Sequence, residues 1–211
     1  MALARQVKQY VANPTVLKIL LLGVGTPLAL GLMAYLELYS ATPGVLGKPL
    51  ASWPSHTTLS LDSAKPTLVI FAHPQCPCTA ASLDELDRLA TKNKGAFKLY
   101  VVVLKSPKMP QEWNESSLWK RAYRLPNSNV FADTEGVECK RFGVITSGTI
   151  LLFSKEGSEI FRGGLTTSRG HEGDSPGSDS LNSFFSTGEL LAKSTPVYGC
   201  ALVSESSGAS K

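Results

Sequence analysis

The stretch "HPQCPCTAAS", His73 to Ser82, sets two cysteines either side of one proline. A thiolate is at once a nucleophile, a soft metal ligand and half of a disulfide. Cys76 and Cys78 therefore have three readings: a redox pair, a metal clip, or two structural sulfurs. Their surroundings bear on the choice. "TLVIFA", just before them, is a continuous apolar run and predicts a buried strand. After them, in "TAASLDELDRLATKNKG", Leu83, Leu86, Leu89 and Ala90 recur at helical spacing and Gly95 stops the pattern, which predicts an amphipathic helix. A cysteine between strand and helix meets the free N–H groups and the positive dipole end of the first turn. Such places hold thiols at pKa values of about 3.5 to 7.5, against about 8.5 for a free thiol. Pro77 has no N–H and a fixed φ, which suits the first helical position.

Two further cysteines are less telling. Cys139 falls on a predicted helix and reads as a core thiol. Cys200, in "PVYGCAL", could resolve a mixed disulfide on Cys76, ligate a metal, or pair with Cys139. Four cysteines allow three pairings, and sequence does not choose among them. His73 could lower a thiolate pKa or ligate a metal, but its ordinary reading is to line the turn. His171, in "SRGHEGD", reads as part of a mobile polar loop; the alternative is that this loop folds over the cysteines.

The elements that must position these residues alternate. After the first strand and helix come a strand at "FKLYVVVLK", a loop at "SPKMPQEWNE" and a short helix at "SSLWKRAYRL" ending before Pro126. A strand at "NVFAD" and a helix at "TEGVECKRFGV" follow. "TILLFS" and "SEIFRG" flank "KEG" as a hairpin, and a last helix is predicted over "SLNSFFSTGELLA". The order β-α-β-α-β-α-β-β-α implies parallel crossovers and an antiparallel edge: an α/β mixed central sheet with helices on both faces.

Before this domain lies "ILLLGVGTPLALGLMAYL", Ile19 to Leu36, bounded by Lys18 and Glu37. As a helix it spans about 27 Å, close to the hydrocarbon thickness of a bilayer. Three glycines and a proline suit a soluble helix poorly, and no small-residue cleavage site follows. A retained membrane anchor is the first reading. The expected divisions are a basic cytoplasmic tail over 1–18, the anchor over 19–39, a Pro-rich linker over 40–66 with a short strand at "TLSL", the α/β domain over 67–200, and a disordered tail over 201–211. Of 21 basic residues, Arg5, Lys8 and Lys18 precede the anchor; the other 18 face 17 acidic residues. That balance leaves no basic stripe for a nucleic acid. The basic end predicts an N-terminus in the cytoplasm, a single pass through the inner membrane, and a domain facing the periplasm or cell exterior.

The domain resembles the thioredoxin superfamily over about residues 67–192. The resemblance rests on the element order, on "TLVIFAHPQCPC", and on "RFGVITSGTILLFSKEGSEI". With the anchor, "ATPG", "WP", "TSGTILLF", "SRGHEGD" and "YGC", the whole is similar to membrane-anchored thioredoxin-like proteins of the RedB type. The resemblance implies a thiol–disulfide oxidoreductase. Cys76 stands in the nucleophile position, and Cys78 or Cys200 resolves. Gly148 and Thr149 present backbone to a protein thiol or disulfide substrate, and a separate partner supplies or takes the electrons. No cofactor is expected. The spacing departs from the family: Cys-x-Cys is one residue shorter than Cys-x-x-Cys, and Gly148 stands where the family has a cis-proline. A small, strained ring would make the bond easy to reduce. The alternatives are a copper-binding chaperone using Cys76 and Cys78 with His73, His171 or Cys200, and a redox-inactive adaptor. No Pro-x-x-x-Thr/Ser-x-x-Cys pattern leads into either cysteine, which excludes a peroxiredoxin.

Overall fold

The computed structural model describes residues 14–202. They divide into two units, one ending at Thr42 and one beginning at Pro43. The expected basic tail lies outside the described residues up to residue 13, and the expected C-terminal tail does so from residue 203.

The first unit is one helix, α1 (Pro14–Ala41), with a mean hydropathy of 2.0 in its most apolar stretch. Its 28 residues would span about 42 Å. Pro27 lies inside it, with no N–H to give and a ring that would strike the carbonyl one turn back. The backbone adapts through a π-helical stretch, Leu21–Gly25, and the Thr26 hydroxyl bonds the Leu21 carbonyl at 3.2 Å. Leu28, Leu32, Met33 and Leu36 are all exposed. The helix is long and apolar enough to cross a membrane.

The second unit is built on a five-stranded sheet. Its strands are β1 (Thr67–Ala72), β2 (Lys98–Lys105), β3 (Ser128–Thr134), β4 (Ile150–Phe153) and β5 (Glu159–Gly163). Their spatial order is β3-β2-β1-β4-β5. β1, β2 and β3 run parallel, while β4 pairs antiparallel with both β1 and β5. Helices α2 (Pro77–Lys92), α3 (Ser117–Arg124), α4 (Val137–Arg141) and α5 (Pro176–Thr187) complete the fold. This is the thioredoxin-like mixed sheet that the sequence predicts.

Strand periodicity divides the core in two. Leu68 and Ile70 of β1 face Leu83, Leu86 and Leu89 of α2, Leu118 of α3 and Leu181 of α5. Val69 and Phe71 face the other way, onto Cys139 of α4 with Phe142, Leu151 and Phe153. β1 is buried at every residue, which its apolar run Leu68 to Ala72 allows, while the Thr67 hydroxyl accepts the Asp62 N–H at 3.0 Å. Its C-terminal end carries the cysteine turn.

Three expectations need correction. The Pro-rich stretch is no linker: it has neither strand nor helix from residue 45 to 66, but it packs onto the second core. Trp53 sets its ring edge-on to Phe142 and Phe153, at 5.1 and 4.9 Å between centroids. Leu59 is buried, Thr57 and Thr58 bond Glu138, and the Leu50 N–H bonds Glu159 at 3.2 Å. The buried Arg162 joins Glu159 to the carbonyls of Leu46, Phe142 and Gly143. Prolines remove backbone donors, so this segment holds on through side chains instead of ladders. Second, the last helix runs Pro176–Thr187, starting and ending four to five residues earlier than expected. The Ser175 side chain accepts from the Ser178 N–H and starts it, and Gly188 in the left-handed region ends it. Third, Gln111–Glu115, expected as loop, forms a short 3-10 helix.

Trp53→Ala is expected to lower the unfolding free energy by about 2 to 3 kcal/mol, because Trp53 is only partly buried but caps two core rings. The denaturant midpoint of the full chain reads this. A free linker would leave the midpoint unmoved.

Candidate functional site

β1 delivers the chain to a tight turn, and α2 begins directly after it. The Cys76 N–H bonds the His73 carbonyl at 3.0 Å, closing the turn. Cys76 is the N-cap residue of α2, with extended backbone (φ −84°, ψ 110°), and Pro77 is the first helical residue, as its missing N–H predicts. Cys76 and Cys78 are both buried, and all four cysteines are unbridged thiols.

The third sulfur comes from far along the chain. After α5 the polypeptide returns and lays a short strap, residues 197–202, beside the loop that precedes β4. Ser147 N–H bonds the Cys200 carbonyl at 2.8 Å, Leu202 N–H bonds the Ile145 carbonyl at 2.7 Å, and Thr146 and Ala201 form an antiparallel bridge. The strap's Cys200 N–H then points at Cys76 Sγ, 3.3 Å away. Residues 201 and 202, expected in a disordered tail, are therefore part of the site's frame. Gly199 allows the close approach: a Cβ there would lie 1.9 Å from the Ser147 carbonyl oxygen.

A second set of donors reaches the same sulfur from below. Ser147 Oγ accepts the His73 N–H at 2.7 Å and lies 2.5 Å from Thr79 Oγ1. Thr79, one turn into α2, in turn bonds Cys76 Sγ. The Ser147–Thr79 contact thus ties the turn at His73 to the first turn of α2.

These contacts set the order of acidity. Burial opposes ionisation of Cys76, but the hydrogen bonds from Thr79 and from the Cys200 thiol and N–H outweigh it and hold the Cys76 pKa below the ordinary thiol value. Cys78 is pushed up by burial and by neighbouring Cys76, with Arg169 pulling the other way. Cys200 is pushed up to about 12 by burial and by its contact with Cys76. One sulfur with a depressed pKa thus has near it two thiols whose pKa values are raised.

The remaining candidates fall into place around this trio. Arg169, from the loop read as mobile, bonds the Gly199 carbonyl at 2.8 Å and lies beside Cys78 and Cys200. That loop is also tied to α2, through Arg88 to Glu172 and the Gly173 N–H to Glu85. His171 in the same loop is exposed. His73 lines the turn: its Nδ1 accepts the Gln75 N–H at 3.2 Å, and its ring meets Trp113 edge-on. Among the described residues, no group of three or more His, Cys, Asp or Glu side chains is arranged to hold a metal ion. Cys139 is fully buried in the second core, next to Asp133, as a core thiol would be.

Gly148 and Thr149 are placed differently from the expectation. Gly148 N–H and the Thr149 carbonyl are taken by Phe71 of β1, at 2.7 and 3.0 Å. The backbone groups of this loop that pair with the strap are Ile145 O and Ser147 N. Gly148 has φ +88° and no cis peptide occurs among the described residues, so a left-handed glycine replaces the cis-proline of the resemblance. Sequence reading missed Thr79, Ser147, Arg169 and Gly199. The hydroxyls carry no spacing signal, while the "YG" before Cys200 was a visible hint.

No protein-family model matches the chain, and neither does any curated protein. Solved structures do. An uncharacterized conserved protein from Geobacillus kaustophilus superposes with a TM-score of 0.56 at 18% identity, covering 80% of this chain and 95% of its own. A hypothetical protein from Sinorhizobium meliloti 1021 gives 0.52 at 16%, covering 78% and 97%. A secreted Mycobacterium tuberculosis disulfide oxidoreductase homologous to E. coli DsbE gives 0.42 at 21%, covering 60% and 83%. The first two share the fold of this chain over nearly their whole lengths.

Proposed function

We propose that this chain is a membrane-anchored, extracytoplasmic thiol–disulfide oxidoreductase of the RedB type, with Cys76 as its nucleophile. One observation carries the reading. Cys76 sits at the N-cap of α2 with a backbone N–H 3.3 Å from its sulfur and a hydroxyl donor on its other side. Such a sulfur ionises more readily than a free thiol and is the better attacker at neutral pH. Cys78 and Cys200 supply protonated thiols beside it, from which a resolving sulfur is drawn. The reaction is exchange: Cys76 attacks a disulfide in a protein substrate, forms a mixed disulfide, and a second cysteine releases it. The chemistry needs no cofactor. Electrons pass to or from a separate thiol–disulfide partner. α1 crosses the inner membrane with its N-terminal end in the cytoplasm, so the cysteines work where disulfides persist.

The test is a thiol titration of the full chain in detergent micelles against glutathione redox buffers, repeated with Cu(I). Reversible two-electron oxidation without metal supports the reading. Stoichiometric Cu(I) binding with no accessible disulfide replaces it with the copper chaperone, and inertness in both arms leaves the adaptor.

Acidity gives an independent prediction. Because the Cys76 pKa is depressed, its alkylation rate rises with pH through a midpoint below that of a free thiol, and falls as the solution is acidified through that midpoint. Thr79→Val removes one donor to the sulfur and shifts the midpoint upward. An unmoved midpoint in Thr79→Val would mean the hydroxyl does not reach the thiolate.

A further inference from the structure

We propose that the disulfide formed at this site joins Cys76 to Cys200 on the strap, and not Cys76 to Cys78. The proposal rests on the exchange reading above and names the resolving residue of that reaction.

Cys200 is held against Cys76 along its whole segment. Gly44 N–H fixes the Val197 carbonyl at 2.7 Å, Arg169 the Gly199 carbonyl, Ser147 the Cys200 carbonyl and Ile145 the Leu202 N–H. The result is a strap whose cysteine N–H lies 3.3 Å from Cys76 Sγ. Cys78 also neighbours Cys76, but it is the second residue of α2, and its carbonyl accepts the Ser82 hydroxyl. Cys76 itself is the extended N-cap residue, and the Cys78 thiol acts on it as the Cys200 thiol does, so the choice between them rests on the backbone. A Cys76–Cys78 bond closes a small ring and pulls the first turn out of helical geometry.

Access points the same way. Cys76 is only 2% exposed and Cys78 8%, while Cys200 is half-buried and outermost. An incoming disulfide reaches Cys76 only if the strap lifts, and the strap carries Cys200 back when it returns. The steps balance. The Cys76 thiolate attacks one sulfur of the substrate disulfide, and the other leaves as a thiolate and takes a proton from solvent. Cys76 is now neutral, so its share in holding Cys200 protonated, which adds to that of burial, is gone while Arg169 stays beside it. Cys200 gives its proton to solvent, attacks Cys76 Sγ and expels the second substrate thiol. The substrate disulfide has gained two electrons and the Cys76–Cys200 bond has formed. An external dithiol returns the pair to thiols and is itself oxidised to a disulfide.

The experiment equilibrates the full chain in detergent micelles with mixtures of reduced and oxidised glutathione. Acid quenching, alkylation, trypsin digestion and mass spectrometry then map the bonds. No lysine or arginine separates Cys76 from Cys78, so Cys78→Ser decides which of the two is bridged. The expected result is a cross-link to the Cys200 peptide that survives in Cys78→Ser. In Cys200→Ser the cross-link disappears and the glutathione adduct on Cys76 rises at least about tenfold, because nothing resolves it. A bond within the Cys76–Cys78 peptide, with Cys200 alkylated at every glutathione ratio, refutes this proposal and leaves the exchange reading standing. Absence of any reversible disulfide refutes both.

Discussion

Replacing Cys76 with serine is expected to end disulfide exchange, lowering its rate at least about a thousandfold. A hydroxyl in the same place receives the same Cys200 N–H and Thr79 contacts. It stays protonated at neutral pH, and an alcohol does not attack a disulfide. Cys78→Ser and Cys139→Ser keep the attacking sulfur, so the first step survives in both. Mixed-disulfide formation with oxidised glutathione, followed by mass, measures that step directly. Exchange persisting in Cys76→Ser and lost in Cys78→Ser would move the nucleophile two residues along the helix. The contrast is sharp because burial, donors and helix position single out one sulfur of three close neighbours.

The second large effect concerns the fold, and it runs against family logic. Gly148→Pro would supply the residue that the resemblance to the thioredoxin superfamily expects before Thr149, yet it is expected to destabilise this chain by at least about 3 kcal/mol. Gly148 has φ +88°, which proline, fixed near −65°, cannot adopt. Its N–H donates to the Phe71 carbonyl at 2.7 Å, and proline has no N–H. That bond joins the loop before β4 to the end of β1, where the cysteine turn starts. Gly148→Ala keeps the bond but strains the left-handed backbone and crowds the Ser82 hydroxyl, 3.2 Å from the new Cβ. It is expected to cost about 1 to 2 kcal/mol. Urea unfolding of the three proteins tests the order wild type, Ala, Pro. A Gly148→Pro chain as stable as wild type would mean that the loop can switch to another backbone.

The parts of this fold legible in sequence are those whose pattern is local. "LVIFA" and "LYVVVL" are continuous apolar runs, and they form the bodies of two interior strands, β1 and β2. Leu83, Leu86 and Leu89 recur at helical spacing, and they bury against β1. Pro77 marks the start of α2 because the first helical position needs no N–H donor and suits the fixed φ of proline. The parts that escaped depend on distant partners. Trp53 and Leu59 lie among prolines with no period, and only the Phe142–Phe153 surface gives them a role. The start of α5 was hidden because "SPGS" reads as loop until the Ser175 and Ser178 side chains are seen to cap each other. At the site, the strand–helix junction exposed Cys76 to sequence reasoning. Ser147, Thr79 and Arg169 meet it only through tertiary structure. Cys200 stood as one of several possible partners until the strap's backbone pairing placed it.

The strap also dictates an order of events during synthesis. A polypeptide emerging N-terminus first presents Cys76 long before residues 197–202 exist. Until they arrive, Cys76 lacks the Cys200 N–H, and the Ile145 and Ser147 backbone groups stand unpaired. A domain whose sheet closes before those residues arrive has its reactive sulfur uncovered, open to whatever thiols or oxidants surround it. Arrival of the strap ends that exposure and completes the acidity of Cys76 at the same moment as it restricts access. Maturation and protection of the nucleophile are thus one step, and it is the last one in the described chain.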